Sequence, residues 1–304
     1  MPSILQVAAA VFGAVSSVTA APVELDSRAV STTVYDKLLF YSQYSAAAYC
    51  LANNDSPNTK VTCAQGNCPL VEAANTTTVS EFENSILTDV TGFVATDTTN
   101  KLIVLAFRGS RSIRNWITDV VFPVVPTTIC STCLVSDGFW TSWLEAQSTV
   151  LTAIASAQAQ YPDYQLVATG HSLGGALASI AAGILRSQGK NIDLYTYGSP
   201  RVGLDAVADY LSKTTLGQNY RVTHLHDPVP KLPPAFLGYR HVSPEYYITA
   251  ANNVSVTPAD ISVIQGTVNF TGNAGDLGLD PAAHGWYFDS IDVCEGTPGV
   301  EFKV

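Results

Sequence analysis

Gly170-His171-Ser172-Leu173-Gly174 sets a serine between two glycines. An apolar run, Tyr164 to Thr169, precedes it, and an Ala/Leu/Ile-rich stretch from Leu173 to about Arg186 follows. A strand that runs into a helix through G-x-S-x-G turns sharply and lifts the serine hydroxyl above the strand ends. A Cβ at Gly170 or Gly174 would crowd the crossing backbone, so both positions call for glycine. The helix N-terminus beneath the turn favours developing negative charge. Residues in this order point to attack on an acyl carbonyl, with Ser172 as the nucleophile.

A serine hydroxyl is a weak nucleophile and needs a base. The chain has five histidines: His171, His224, His226, His241 and His284. His171 lies inside the turn, and its side chain should point away from the serine. His224 and His226 lie at a strand end and read as core or supporting residues. Where such a turn crowns a parallel sheet, an acid and then a histidine follow the serine in sequence. Asp227 opens a rigid Asp-Pro-Val-Pro loop just after the strand Tyr220 to His224, which suits a fixed carboxylate. Asp193, Asp205 and Asp209 compete for that role but read as solvated ends of helices or strands. With Asp227 as the acid, the order leaves His241 and His284 open as the base.

The elements that must hold these residues alternate between two periods. Val30 to Tyr49 carries apolar residues at mostly helical spacing, and Thr141 to Gln160 is helical. Lys101 to Phe107, Tyr164 to Thr169, Ile192 to Tyr197 and Tyr220 to His224 are short apolar runs that read as buried strands. Alternating strands and helices predict a largely parallel sheet with helices on both faces.

Several stretches together resemble the filamentous-fungal lipases, the class 3 family of the Thermomyces, Rhizomucor and Fusarium enzymes. They are FRGSRSIRNWI (107–117), TGHSLGGALA (169–178), YTYGSPRVG (195–203), HDPVPKLPP (226–234), YRHVSPEYY (239–247) and DPAAHGWYF (280–288). The resemblance runs from about Val30 to Cys294. It implies an α/β-hydrolase fold and a catalytic triad of Ser172, Asp227 and His284, which decides between His284 and His241. It also implies an oxyanion hole from Ser110 and the Leu173 N–H. One such donor is worth about 3–4 kcal/mol of transition-state stabilisation. The implied disulfides are Cys50–Cys294, Cys63–Cys68 and Cys130–Cys133.

The resemblance implies a lipase acting on triacylglycerol at lipid–water interfaces. Feruloyl esterase and phospholipase A1 activities are alternatives on the same fold. Ile113, Trp116, Ile117 and Val120 fall at i, i+3, i+4 and i+7, so a helix over 112–120 would be apolar on one face. In the family this helix is the lid. Three positions depart from the pattern: Ser136 replaces a histidine, Arg114 an acidic residue, and Gly285 a leucine.

The remaining features bound the setting. Hydrophobic residues make up 47% of the 304-residue chain and charged residues 13%, with a formal net charge of −10. Such a chain is globular and a poor ligand for nucleic acid. Ile4 to Val15 is too short an apolar run to span a bilayer, and Val18-Thr19-Ala20 fits signal-peptidase cleavage. Residues 1–20 are therefore expected to be a signal peptide, 21–28 a short pro-segment, and 29–304 one domain. No later stretch reads as a membrane span. Six cysteines agree with export, and sequons at Asn54, Asn75, Asn253 and Asn269 permit glycosylation. No metal or organic cofactor is expected, and the protein is expected to be a secreted monomer.

Overall fold

The computed structural model describes residues 29–54, 56–83, 88, 90–110 and 122–295. The expected signal peptide, pro-segment and lid helix lie outside the described residues.

Eight strands form the central sheet: β1 (Thr76–Phe82), β2 (Gly92–Asp97), β3 (Leu102–Phe107), β4 (Gln165–His171), β5 (Ile192–Tyr197), β6 (Asn219–His224), β7 (Glu245–Ile248) and β8 (Ile261–Ile264). They lie side by side in chain order. The pairings from β3 through β7 are parallel, while β1–β2, β2–β3 and β7–β8 are antiparallel. The predicted parallel sheet is thus the middle of a larger mixed one. The sequence reading missed β1, β2 and β8, which make the antiparallel pairings, and also β7.

The buried strands show why a continuous apolar run was the right signal. All six residues of β3 are buried. Ile103, Leu105 and Phe107 face one core layer, with α2 (Asp137–Gln160) and α3 (Leu173–Ser187). Leu102, Val104 and Ala106 face the other, with α1 (Thr32–Ala47). A strand covered on both faces has no polar side to alternate with. Helix α4 (Asp205–Ser212) packs Val207 and Leu211 into the same layer as α3.

Helix α1 is also tied to the sheet by polar contacts. The Tyr197 hydroxyl donates to the Leu38 carbonyl at 2.6 Å, and the Ser45 and Thr169 hydroxyls meet at 2.8 Å. These bonds fix α1 against the ends of β4 and β5, the strands that lead into the Ser172 turn and the Gly198 turn. Asp193 is buried, contrary to its reading as a solvated strand end. It accepts from Gln165 Nε2 at 2.6 Å and from the Gln218 amide at 2.7 Å, so it joins β5 to its neighbours. Asp205 and Asp209 are exposed as expected.

Three disulfides are formed: Cys50–Cys294, Cys63–Cys68 and Cys130–Cys133. Among the sequons, Asn75 and Asn253 are exposed, Asn269 is half-buried and Asn54 is buried.

The Cys50–Cys294 bridge closes a loop of 244 residues. Constraining a denatured chain over that length is worth about 5 kcal/mol on entropic grounds, and measured values commonly run lower. Replacing both cysteines by alanine should lower the melting temperature by about 5–15 °C in scanning calorimetry. An unchanged melting temperature would show that the bridge does not stabilise the fold.

Candidate active site

Ser172 stands at the junction of β4 and α3 with φ 57° and ψ −127°, a backbone conformation that costs a non-glycine residue energy. The crossing is as close as the sequence requires. A Cβ on Gly170 would sit 2.2 Å from the Gly174 carbonyl oxygen, and one on Gly174 would sit 2.3 Å from the Phe107 carbonyl oxygen. The Ser172 amide donates to the Tyr197 carbonyl at 2.9 Å, which ties the turn to the end of β5.

Ser110 follows the end of β3. Its neighbour Gly109 is pressed against the turn, since a Cβ there would lie 3.0 Å from the Ser172 Cβ and 2.1 Å from the Tyr49 hydroxyl. The chain that carries Ser110 therefore runs directly beside the serine. The Leu173 amide opens α3 on the other side.

His284 ends α5 (Pro281–His284), a helix of one turn capped by Asp280, whose carboxylate accepts from the Ala282 amide at 2.9 Å. Its Nδ1 donates to Asp227, 2.9 Å from each carboxylate oxygen. Its Nε2 is buried and has no hydrogen-bond partner among the described residues. Asp227 has no solvent exposure. It also accepts from the Tyr287 hydroxyl and from the Val229 amide, the latter at 2.9 Å. These donors supply the hydrogen bonds that a buried acid side chain cannot take from water. Burial and the adjacent Asp227 charge together push the Tyr287 phenol well above its ordinary value, so it stays a donor.

Two further histidines hold the backbone of α5. His171 Nε2 lies 2.8 Å from the His284 carbonyl, and its Nδ1 lies 2.6 Å from the Tyr49 hydroxyl. A carbonyl can only accept, so Nε2 carries the proton and Tyr49 donates to Nδ1. Burial, and then the nearby His284, hold His171 well below its ordinary value, so it is neutral. The ring nitrogens of His224 face the carbonyls of Ala283 at 2.9 Å and Ala250 at 2.8 Å. The His171 ring is thus spent on Tyr49 and on the backbone of the residue that would act on the serine. His241 is elsewhere: it is buried, with Nε2 2.7 Å from the Pro230 carbonyl. Burial, followed by Arg221 and Arg201, keeps it well below its ordinary value.

Sequence reasoning missed Tyr287, Tyr49 and Gly198. Tyr287 lies three residues beyond His284 in the quoted DPAAHGWYF stretch, which was the available signal. Gly198 has φ +57°, and a Cβ there would meet His284 Cε1 at 2.9 Å and Asp227 Oδ2 at 3.0 Å. Only a residue without a side chain leaves room for the pair.

Comparison with known proteins finds lipases in sequence and in fold. A family described as Lipase (class 3) matches residues 104–237, and one described as Lipase 3 N-terminal region matches residues 7–79. The chain is 46% identical over 289 residues to the secreted mono- and diacylglycerol lipase A of Penicillium cyclopium, covering 93% of this chain and 94% of that protein. It is 42% identical to the secreted mono- and diacylglycerol lipase 1 of Fusarium solani, over 89% of this chain and 81% of that one. The crystal structure of the mono- and diacylglycerol lipase from Aspergillus oryzae superposes with a TM-score of 0.82 at 45% identity, covering 87% of this chain and all of that one.

Two expectations follow. Gly198→Ala should lower kcat for a dissolved ester by at least tenfold through crowding of the Asp227–His284 pair, and steady-state kinetics would show it; an unaffected kcat would mean the pair tolerates displacement. His171 and His241 are buried and neutral, so below the ordinary histidine value of 6.5 the unfolded chain binds protons that the folded one does not. Stability should therefore be fully present above about pH 6.5 and decline as pH falls below it. The urea midpoint should be lower at pH 5 than at pH 7.5, and His241→Gln should flatten that slope.

Proposed function

The chain belongs to the class 3 lipase family and is a secreted carboxylic ester hydrolase, and from that premise we propose that Ser172, His284 and Asp227 form its catalytic triad. The buried Asp227–His284 pair, whose histidine backbone is held by His171, the residue before a serine at positive φ, carries this reading. Ser172 attacks the ester carbonyl while His284 Nε2 takes its proton. Asp227 holds the imidazole in the tautomer that leaves Nε2 free and stabilises the imidazolium that forms. The oxyanion develops against Ser110 and the Leu173 N–H. The alcohol leaves with the proton from His284, and water then deacylates Ser172 by the same route. Residues 29–304 form the catalytic domain, acting as a monomer after removal of the leader.

The substrate class is neutral acylglycerol at a lipid–water interface. The Penicillium and Fusarium relatives are mono- and diacylglycerol lipases, which extends it from triacylglycerols to mono- and diacylglycerols. The net charge of −10 suits uncharged lipid better than anionic membranes. Ile113, Trp116, Ile117 and Val120 lie outside the described residues; on the sequence reading they would form a lid face that covers the site in water. Burying about 300 Å² of it in lipid would be worth several kcal/mol at roughly 25 cal/mol per Å². That suffices to shift a closed-favouring equilibrium.

Ser172→Ala should abolish hydrolysis of tributyrin, monoolein and diolein while leaving the fold intact. His284→Ala and Asp227→Asn should cost several orders of magnitude, and neither should add to Ser172→Ala. Normal activity in His284→Ala would refute the assignment. The rate against tributyrin concentration should jump near the solubility limit, and Trp116→Ala should impair emulsions far more than dissolved ester. A smooth hyperbola, or equal losses on both, would remove the lid from the account. Preference for methyl ferulate or phosphatidylcholine over acylglycerols would displace the substrate assignment.

A further inference from the structure

The triad accounts for Asp227 and His284 but not for a second acid–histidine pair built beside them. His226 immediately precedes Asp227 and has φ 66°. Asp276 lies eight residues before His284. The Asp276 carboxylate accepts from the His226 amide at 2.6 Å and from His226 Nδ1 at 2.9 Å. It also accepts from the Gly278 amide at 2.9 Å. The Lys231 ammonium lies 3.8 Å from the same carboxylate and donates to the Asp276 carbonyl at 2.6 Å and to the Gly278 carbonyl. Next along the chain, the Asp280 amide donates to the His226 carbonyl at 2.8 Å.

These bonds join two loops that have no covalent reason to stay in register. One, residues 226–231, carries Asp227. The other, residues 276–280, leads directly into α5 and His284. Asp276 stands at the centre, accepting from both loops and drawing in Lys231. Its partial burial alone would raise its carboxyl. The amides of Gly278 and His226, the His226 ring and Lys231 outweigh that and hold it below the ordinary carboxylate value. The fit is tight, because a Cβ on Gly278 would fall 1.8 Å from His226 Nδ1. Meanwhile Leu277 is 96% and Leu279 71% exposed, so neither leucine anchors this segment to the core. The polar clip supplies the anchorage that apolar packing does not.

We propose that Asp276 is a positioning residue for hydrolysis, fixing the His284 loop against the Asp227 loop through His226, Gly278 and Lys231. The proposal rests on the triad reading above. It concerns alignment: His284 must present Nε2 to the serine while Nδ1 stays on Asp227. Misplacing a catalytic group by about 1 Å can cost up to a hundredfold in rate.

The experiment compares the full-length secreted enzyme with Asp276→Asn, Gly278→Ala and Leu277→Ser. Asp276→Asn keeps the size but removes the charge and turns donors toward donors. Gly278→Ala keeps the charge and pushes His226 off the clip. Leu277→Ser alters the same segment without touching it. Active sites are titrated with a fluorophosphonate, so that kcat on dissolved tributyrin is counted per competent Ser172. Asp276→Asn and Gly278→Ala should each lose about tenfold or more in kcat and in phosphonylation rate, with KM within about twofold of the parent. Leu277→Ser should match the parent on this dissolved substrate. The proposal is overturned if both clip variants keep the parental kcat per titrated site, whatever their melting temperatures, since the clip would then be structural alone. It is equally overturned if Leu277→Ser loses as much as they do. A parent enzyme that neither hydrolyses tributyrin nor takes up the phosphonate would instead refute the triad reading itself.

Discussion

The site depends on one acid side chain held by hydrogen bonds where water does not reach. Asp227 is fully buried. A buried polar group left without partners would cost several kcal/mol. Here the His284 ring, the Tyr287 hydroxyl and the Val229 amide all donate to it. Each donor restricts something else. The Val229 amide shapes the loop after β6, Tyr287 ties the chain beyond His284 to Asp227, and the imidazole is held with Nδ1 on the carboxylate. Satisfying Asp227 therefore also orients His284.

The sheet makes this convergence inexpensive in chain length. Because β3 to β7 lie side by side in sequence order, their C-terminal ends line one edge. The segment with Ser110 leaves β3, the Ser172 turn leaves β4, the Gly198 turn leaves β5, and the Asp227 loop leaves β6. Ligand sites in open parallel sheets form at this edge because the connecting loops gather there. His284 alone arrives from far along the chain, on a helix of one turn that cannot hold itself in place. This explains why two buried histidines are committed to its backbone carbonyls. His171 reaches it from the nucleophile turn and His224 from the end of β6.

What the sequence made legible follows the same division. Ser172 was readable because its neighbours are sterically compelled: the contacts at Gly170 and Gly174 admit no Cβ. The inner strands were readable because burial on both faces demands an unbroken apolar run, as in Leu102–Phe107. Asp227 could be inferred from a rigid loop at a strand end. His284 could not be separated from His241 on local grounds, because nothing near either residue says which carbonyl its ring will meet. That information lies in contacts across the fold: Pro230 holds His241, while Asp227 holds His284. Gly198 was illegible for a related reason. Its neighbours, the His284 ring and the Asp227 carboxylate, are distant in sequence, so no spacing rule points to it. Asp193 misled because a carboxylate at a strand end is usually solvated, and here Gln165 and Gln218 replace the water.

The covalent framework serves the same edge of the sheet. The segment just after α1 delivers two consecutive residues, Tyr49 and Cys50. Tyr49 donates to His171, which in turn donates to the His284 carbonyl. Cys50 is bonded to Cys294, ten residues beyond His284. The same stretch of chain therefore grips the His284 loop by a hydrogen-bond relay on one side and by a disulfide on the other. Helix α1 is itself fixed to β4 and β5 by Ser45 and by the bond from Tyr197, so this grip is referred back to the strands that carry Ser172. A secreted protein can rely on such a bridge because the oxidising exterior keeps it closed. Export thus bears on the architecture as well as on the address of the enzyme, since the bond it permits closes the circuit between the Ser172 turn and the His284 loop.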